Sequence, residues 1–467
     1  MPGQGKKKIG SLAERHRRNR RLLVASIVVV FAMAGGFVIV VSTQAASAGR
    51  DHLTRAPEPA RITAAPNLIP VPDDAPIPTP QGIAAALGPV AANPGLGVFS
   101  GTVADALTGQ VLWSVNPQVP ATPASSTKIL TAGAALLSLP SDHRVTTRVV
   151  RGAPGEIVLV AGGDPTLTAM PVGESGYYPG AAHISELVDQ IRKAGIQATR
   201  IVVDTSIYSG AAMAQGWYPD DIGAGFITPT EPIMIDGGRE DPLVDESPRS
   251  ATPAIDAGRV LAAALGVDPS AVSPGVASPD AATVASVRSA PLRDRLRQMM
   301  EHSDNVLAEA IGREVAMNAG AEASFAGAVA AISQKLTAAG FDLSGLTLHD
   351  ASGLSVDDRI APQLLDQVLT SAAGVGMPVL RPMLDYLPVA GATGSLSDRY
   401  ASGTRAGAGW VRAKTGTLDI ASALAGYVVD QDGRVLTFAL MSNDSPPEVS
   451  RPALDALAAT LRTCGCQ

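Results

Sequence analysis

Residues 123–128 read Pro123-Ala124-Ser125-Ser126-Thr127-Lys128 and stand directly before an Ala/Leu-rich stretch that ends near Leu139. That stretch has the pattern of a helix, so Ser125 lies at a helix start. Residues three apart on a helix share a face, which points the Lys128 amine at the Ser125 hydroxyl. A desolvated lysine beside a second cation can take the proton of a serine and make it a nucleophile. The S-x-x-K spacing therefore indicates a serine nucleophile with a lysine base.

Lysine is scarce beyond the basic N-terminal tail, where it occupies only positions 128, 193, 335 and 414, while arginine is abundant. Of the two, only lysine can lose its proton near neutral pH, so a retained lysine is a candidate for chemistry. Taken alone, Lys128 fits a solvated residue on an ordinary helix equally well. Lys414 favours the chemical interpretation because it opens another motif, Lys414-Thr415-Gly416-Thr417, at the predicted start of a strand and after a run over 409–413 that also reads as strand.

The second of the three motifs in chain order, Ser303-Asp304-Asn305, interrupts an otherwise helical pattern over residues 292–317, and K-T-G-T is the third. It places a hydroxyl and a side-chain amide together, but alone it is typical of a helix cap or a turn. The motifs follow one another at separations of 178 residues, from Ser125 to Ser303, and 111 residues, from Ser303 to Lys414. All three in this order favour a single catalytic site.

The motifs and their flanking sequence resemble the low-molecular-mass class C penicillin-binding proteins, the D-alanyl-D-alanine carboxypeptidase/endopeptidase family. The resemblance covers about residues 83–462. Further matching segments are Gly163-Asp164-Pro165-Thr166-Leu167, Gly216-Trp217, Asp350-Ala351-Ser352-Gly353-Leu354-Ser355, Ile360-Ala361-Pro362 and Leu387-Pro388-Val389-Ala390-Gly391. The resemblance implies a serine carboxypeptidase that acts on peptidoglycan stem peptides, binds β-lactam antibiotics covalently, and uses no metal or organic cofactor. It also allows cleavage of 4→3 cross-links, because the same chemistry serves both bonds.

The resemblance assigns roles to the residues of the first two motifs. It implies that Ser125 is the acylated nucleophile and that Lys128 is its base. Ser303 would pass the proton to the leaving amine, and Asn305 would position the penultimate peptide bond.

The resemblance likewise assigns the third motif to substrate binding. Lys414 would add positive potential, and Thr415 and Thr417, with Gly416 between them, would bind the terminal carboxylate. The backbone N–H groups of Ser125 and Thr417 would form an oxyanion hole, which requires two donors aimed at the developing charge.

The side-chain pocket implied by the resemblance departs from the family pattern. Asp221 and Phe226 match the acid and the aromatic residue that receive a diaminopimelate amine, but Val356 stands where an arginine would meet the carboxylate of that side chain, and Asp419 replaces a glutamine. A carboxylate without its arginine would be unpaired in this pocket, so we expect an amidated diaminopimelate. The alternative is that Arg359 takes the place of the missing arginine.

Strands at both ends of the folded part enclose a helical block, which predicts one sheet built from both termini and an α+β fold. The resemblance makes this a penicillin-binding-protein/β-lactamase-like transpeptidase fold, an antiparallel sheet with a helical subdomain, carrying one small inserted α/β domain. The predicted segments are a basic cytoplasmic tail (1–21), a membrane anchor or signal (22–41), a Pro-rich linker (42–82), the peptidase domain (83–143 and 251–467) and the inserted domain (144–250).

The N-terminal segment predicts export. Residues 22–41 contain no charge, and twenty such residues span about 30 Å as a helix, the thickness of a bilayer core. The basic flank precedes this run, so the positive-inside rule places the remainder of the chain on the exported side of the cytoplasmic membrane. Ala46-Ser47-Ala48 has the form of a cleavage site, which leaves both an uncleaved anchor and a cleaved signal open.

Composition excludes some other classes. The net charge is −7, and beyond residue 48 only 28 basic residues face 42 acidic ones, which argues against a nucleic-acid partner. The six histidines lack metal-binding spacing.

Asp350 and Asp357-Asp358 are interpreted as turn residues beside the cleft rather than as a carboxyl pair. Cys464 and Cys466 lie too close together to close a long loop, and they fit either a local bridge or two thiols.

Two rival functions remain open. A β-lactamase would share the acylation residues, but the sequence lacks a convincing glutamate motif for deacylation. A non-enzymatic peptidoglycan-binding scaffold would keep the fold with an inactive site, against which the three intact motifs argue.

Overall fold

A computed structural model describes residues 74–465. The predicted tail, the apolar run over 22–41 and most of the linker lie outside the described residues, as does Cys466. Within residues 74–465, no helix is both long enough and apolar enough to cross a membrane.

The helices of the described part run from just before the predicted peptidase domain to the C-terminus. They are α1 (Pro80–Ala91), α2 (Lys128–Ser138), α3 (Ile184–Lys193), α4 (Asp220–Gly223), α5 (Pro253–Leu265), α6 (Leu292–Glu301), α7 (Asn305–Asn318), α8 (Phe325–Ala338), α9 (Pro362–Ala373) and α10 (Pro447–Thr463). Helix α1 begins inside the predicted linker, because Pro80 suits the first helical position and the Thr79 hydroxyl caps it by accepting from Gly82 N at 3.0 Å.

The strands within residues 74–465 form two large sheets and one small pair. They are β1 (Val98–Asp105), β2 (Val111–Val115), β3 (Thr146–Arg151), β4 (Glu156–Val160), β5 (Asp164–Leu167), β6 (Arg200–Asp204), β7 (Ile233–Ile235), β8 (Val272–Pro274), β9 (Thr283–Arg288), β10 (Arg412–Leu418), β11 (Ala421–Val429) and β12 (Val435–Asn443).

The main sheet has the order β10-β11-β12-β1-β2, and all of its pairs are antiparallel. Strand β1 pairs with β12 from Val98 opposite Asn443 to Asp105 opposite Leu436. The prediction of one sheet built from both ends of the chain is therefore confirmed, as is the α+β class. The K-T-G-T motif lies near the start of a strand, as predicted, because β10 begins at Arg412 and includes Lys414 to Thr417. The strand predicted over 409–413 is wrong in its bounds, since it shares only Arg412 and Ala413 with β10.

The two faces of the main sheet are covered by different helices. Along β12, Phe438 belongs to the same apolar core as Ile83 of α1 and Leu457 of α10, whereas the next residue, Ala439, belongs to the core of the helical block, which includes Leu307 of α7. Successive side chains of a strand point to opposite faces, so one strand joins both cores. The result is a three-layer arrangement of helices, sheet and helices.

The second sheet has the order β8-β6-β4-β3-β9. Strand β9 pairs with β3, β8 pairs with β6, and α5 packs into the same apolar core as α3. The predicted end of the inserted domain at residue 250 is therefore wrong, since the second sheet continues to Arg288. The apolar periodicity of α5 shows that it covers a sheet but does not show which of the two sheets it covers.

Candidate active site

The first motif is built from two kinds of helix. Residues Ala124–Thr127 form a 3-10 turn, and α2 starts at Lys128. A 3-10 turn has three residues per turn, so side chains three apart lie one above the other. The fully buried Lys128 Nζ lies 2.9 Å from Ser125 Oγ, 2.6 Å from Asn305 Oδ1 and 2.8 Å from the Ser352 carbonyl oxygen. The amine is thus held on three sides against the predicted nucleophile.

The backbone around Ser125 is tightly enclosed. Ala124, the residue before it, has a φ of 46°, in the left-handed region that alanine rarely adopts. A Cβ at Gly353 would stand 2.0 Å from the Ala124 carbonyl oxygen. A Cβ at Gly416 would stand 2.6 Å from the Pro123 carbonyl oxygen and 3.1 Å from Ser125 N. Because positions 353 and 416 are both glycine, the segments that carry them can pack directly against the backbone of the Ser125 turn.

The second motif occupies the break between α6 and α7. Ser303 has a φ of 61°, and the Asp304 carboxylate caps α7 by accepting from Leu307 N at 2.8 Å. Asn305 begins α7, and its Nδ2 donates to the Phe226 carbonyl oxygen at 3.0 Å. The predicted interruption of the helical pattern is confirmed, and it turns Ser303 and Asn305 toward the two lysines.

The third motif contacts the second through the side chain of Lys414. Lys414 Nζ donates to Ser303 Oγ at 2.9 Å and to the Thr415 carbonyl oxygen at 2.8 Å. The Thr415 hydroxyl lies 2.6 Å from Ser395 Oγ. Since Lys128 contacts Asn305 and Lys414 contacts Ser303, hydrogen bonds join three motifs from distant parts of the chain into one site.

Burial changes the proton affinity of both lysines. Desolvation lowers the pKa of Lys128 from 10.5 to about 8, although Asp350, Asp304 and Glu309 oppose the shift by favouring its charged form. Desolvation, and then the charge of Lys128, lowers the pKa of Lys414 well below its ordinary value. With this pKa, the Lys128 amine is neutral in about a tenth of molecules at pH 7, and only the neutral amine can act as a general base.

Two buried carboxyl groups, Asp350 and Asp358, support the loop whose carbonyl holds Lys128. Asp350 accepts a hydrogen bond from Trp217 Nε1 at 2.7 Å and others from backbone N–H groups of the turn that follows it. Burial, and then the neighbouring charge of Asp350, raises the pKa of Asp358 to about 10, so this carboxyl is protonated at neutral pH. The hydrogen bonds that Asp350 accepts fit its interpretation as a turn residue, and its charge acts on the neighbouring Asp358 carboxyl.

The predicted side-chain pocket opens from the same cleft, which has a volume of about 860 Å³. Asp221, Phe226, Val356 and Asp419 all line the cleft, as do Ser125, Ser303, Asn305, Thr415 and Thr417. Lys128 and Lys414 are fully buried beneath it. Burial, followed by the charge of Asp419 among other causes, raises the pKa of Asp221, so the pocket brings two acids together.

Some residues of the site carry no signal that sequence reasoning used. Ser395 reaches Thr415 from a 3-10 turn, and the Ser352 carbonyl holds Lys128 through its backbone, which the side-chain pattern does not reveal. Tyr178 and Arg239 contact Asp304 from segments far away in the sequence. Their contribution follows only from the packing of the inserted strands and loops against α7.

The D-Ala-D-Ala carboxypeptidase 3 (S13) family matches residues 83–248 and 241–464. The chain belongs to this family. This S13-family chain is 52% identical over 417 residues to "Carboxypeptidase DacB" of Mycolicibacterium smegmatis, covering 88% of this chain and 90% of that protein. It is 50% identical over 416 residues to a carboxypeptidase of Mycobacterium tuberculosis, with the same coverage of 88% and 90%.

A solved structure shows the same fold as this S13-family chain. The crystal structure of penicillin binding protein 4 (dacB) from Haemophilus influenzae matches with a TM-score of 0.65 at 22% identity, covering 81% of this chain and 98% of that one. At this identity the match supports the fold, and the penicillin-binding-protein architecture expected from the motifs is confirmed.

Proposed function

We propose that this chain removes the terminal D-alanine from peptidoglycan stem peptides through an ester on Ser125. The chain is a serine-type D-Ala-D-Ala carboxypeptidase by its family and its curated relatives. The assignment of the residues rests on hydrogen bonds between the motifs. Lys128 bonds to both Ser125 and Asn305, and Lys414 bonds to Ser303 of the same motif as Asn305. No rearrangement of the chain is needed to bring these groups together.

The reaction follows from this arrangement in two half-reactions. Neutral Lys128 accepts the Ser125 proton as Oγ attacks the carbonyl carbon of the penultimate D-alanine, and N–H groups of Ser125 and Thr417 hold the oxyanion. The C–N bond then breaks, and the leaving amine takes a proton through Ser303. Water then attacks the ester and gives a proton to Lys128, which passes it to Ser125 Oγ as the acyl–oxygen bond breaks, so that the shortened peptide leaves and Ser125 is restored.

Release of D-alanine tests the proposal directly. Purified protein is incubated with a pentapeptide stem, and the products are separated and weighed by mass spectrometry. We expect a tetrapeptide and free D-alanine, and no product from the Ser125→Ala variant. A 4→3 cross-linked dimer supplied in parallel measures the proposed endopeptidase activity. Equal turnover by the Ser125→Ala variant would contradict the assignment of the nucleophile.

The lifetime of a penicillin label separates the carboxypeptidase from its two rivals. Fluorescent penicillin should bind covalently to one site and remain for much longer than a turnover of peptide. Rapid loss of the label with accumulation of hydrolysed penicillin would instead support a β-lactamase. A chain that never becomes labelled would support the inactive scaffold.

We further propose that the preferred stem peptide carries an amidated diaminopimelate. The guanidinium of Arg359 donates to the Val356 and Asp358 carbonyl oxygens at 2.8 and 2.7 Å, so it is already engaged outside the pocket. Two acids, Asp221 and Asp419, already line that region. A free carboxylate there would add a third negative charge without the arginine expected at position 356, whereas an amide is neutral and still forms hydrogen bonds.

Matched peptides that differ only in this amide provide the test. We expect a higher kcat/KM for the amidated peptide. The Val356→Arg variant should raise kcat/KM for the free acid by about tenfold or more, since a hydrogen bond to a charged group contributes about 1.5–3 kcal/mol. Val375→Arg makes the same change at a position that is 87% exposed and should leave the preference unaltered. A wild-type preference for the free acid would end this proposal while leaving the reaction itself intact.

We also propose that the enzyme acts on the exported side of the cytoplasmic membrane, held there by residues 22–41. Support comes from the length and apolarity of this run and from the basic residues before it. Alkaline extraction of membranes should leave the full chain in the pellet and release a variant that lacks residues 22–41. Full-length chain recovered in the soluble fraction would contradict the anchor, and a mature N-terminus near Ala48 would establish cleavage.

A further inference from the structure

Arg239 belongs to none of the three motifs, yet its guanidinium reaches the turn that carries Ser303. Its side chain is 1% exposed, and Nη2 lies 3.3 Å from Asp304 Oδ2. Nη1 donates to the Tyr178 hydroxyl at 2.9 Å, and that hydroxyl donates to the same Asp304 oxygen at 2.8 Å. Asp304 Oδ2 is therefore held by two donors from outside the catalytic motifs.

Asp304 is the residue that links the two catalytic groups of the second motif. It stands between Ser303 and Asn305, and its other oxygen, Oδ1, caps α7 through Leu307 N. Burial alone would raise the pKa of Asp304, but the positive charge of Arg239 and of a second arginine holds this pKa below its ordinary value. The carboxylate is thus kept ionised and oriented at the point where the chain leaves the unusual backbone conformation of Ser303.

The backbone before Arg239 holds its guanidinium against an aromatic ring and a backbone carbonyl. Its guanidinium stacks on the Tyr177 ring at 3.4 Å from the ring centroid and donates to the Asp236 carbonyl oxygen at 3.0 Å. Asp236, Gly237 and Gly238 have φ values of 47°, 66° and 76°. A Cβ at Gly237 would stand 2.4 Å from the Tyr178 hydroxyl oxygen, so this close approach requires glycine.

We propose that Arg239 is a positioning residue for acyl transfer, which holds Asp304 so that Ser303 stays on Lys414 and Asn305 stays on Lys128. This inference rests on the proposed function. An arginine suits the place because a planar guanidinium can stack on an aromatic ring and donate to two groups in its plane at once, whereas an ammonium cannot. The predicted consequence concerns the rate of the chemical step rather than the affinity for substrate, because Arg239 acts on the catalytic groups through Asp304.

The test compares Arg239→Lys and Arg239→Gln with a matched control, Arg259→Gln. Arg259 pairs with Asp256 at the surface of α5, where both side chains are more than a third exposed. Small displacements of catalytic groups can cost about 100-fold in rate. We therefore expect both Arg239 variants to lower kcat, and the rate constant of acylation by penicillin, by about 10- to 100-fold, with KM changed less than about threefold. The Arg259→Gln variant should match the wild type.

Tyr178→Phe provides a second variant that keeps the ring and removes only the bridging hydroxyl. We expect a decrease of about 3- to 10-fold in the acylation rate constant. Because Tyr178 and Arg239 act on one oxygen of Asp304, the combined Arg239→Gln and Tyr178→Phe variant should be no slower than Arg239→Gln alone.

Two results would overturn the inference. One is wild-type acylation by folded Arg239→Gln protein, and the other is a change confined to KM. If Arg239→Gln does not fold, Tyr178→Phe decides, and an unchanged acylation rate in that variant counts against the inference. A wild-type chain that releases no D-alanine would overturn the proposed function together with this inference, whereas an active wild type with unaffected variants overturns the inference alone.

Discussion

The rate of acylation should depend on pH through Lys128. At pH 7 a lysine with a pKa of about 8 is neutral in about 9% of molecules, compared with about 0.03% for the ordinary value of 10.5. The buried amine thus has several hundred times more of the neutral form available at pH 7. Because only the neutral amine can accept the Ser125 proton, the acylation rate constant should rise with pH, by about tenfold between pH 7 and pH 9, and level off above that.

Stopped-flow measurement of acylation by a chromogenic β-lactam from pH 6 to pH 9.5 gives the profile. Below pH 8 the logarithm of the rate constant should rise with nearly unit slope. Since the charge of Lys128 also lowers the pKa of Lys414, the midpoint belongs to the pair of lysines and not to one of them alone.

The Lys128→Arg variant serves as the matched control for this profile. It keeps the positive charge, but a guanidinium does not lose its proton in this pH range. Acylation should fall by about 100- to 10,000-fold, the usual contribution of general acid–base catalysis. A flat wild-type profile, a rise that has not begun to level at pH 9.5, or a Lys128→Arg variant with wild-type rates would refute the assignment of Lys128 as base.

Two further variants test the supports of the site. Asp358→Asn should preserve activity, and its melting temperature at pH 8 should equal or exceed that of the wild type. The reason is that a carboxyl whose pKa is raised by folding makes the protein less stable as pH rises, whereas an amide does not titrate. A collapse of activity would mean that Asp358 is ionised. Gly353→Ala should lower stability by more than about 2 kcal/mol and slow acylation, because φ is 78° there and the new Cβ meets the Ala124 carbonyl. Gly376→Ala, with open space around it, is the control, and equal unfolding free energies would contradict the argument.

Local sequence patterns were enough to predict that the three motifs form one site and that strands from both ends of the chain form one sheet. The S-x-x-K spacing fixes the distance between Ser125 and Lys128 within one turn, so their contact follows from helix geometry. The motifs together with their flanking segments indicate the family. These features depend on short stretches whose local structure is strongly determined by sequence.

The remaining features depend on contacts between distant segments. Nothing in the neighbourhood of Arg239 indicates that it will meet Asp304, because that contact arises from the packing of the 236–250 loop against α7. The assignment of α5 to the second sheet and the effect of the Asp350 charge on Asp358 depend on tertiary structure in the same way. Apolar periodicity and charge spacing describe one element at a time, so they cannot choose among partners.

The most direct test of the central claim is the mass of the intact protein after treatment with penicillin, followed by peptide mapping. We predict that the wild-type chain gains the mass of one penicillin molecule, that the added mass maps to Ser125, and that the Ser125→Ala variant gains none. A Ser125→Ala chain that is labelled to the same extent, or a label that maps to another residue of the wild type, would contradict the account.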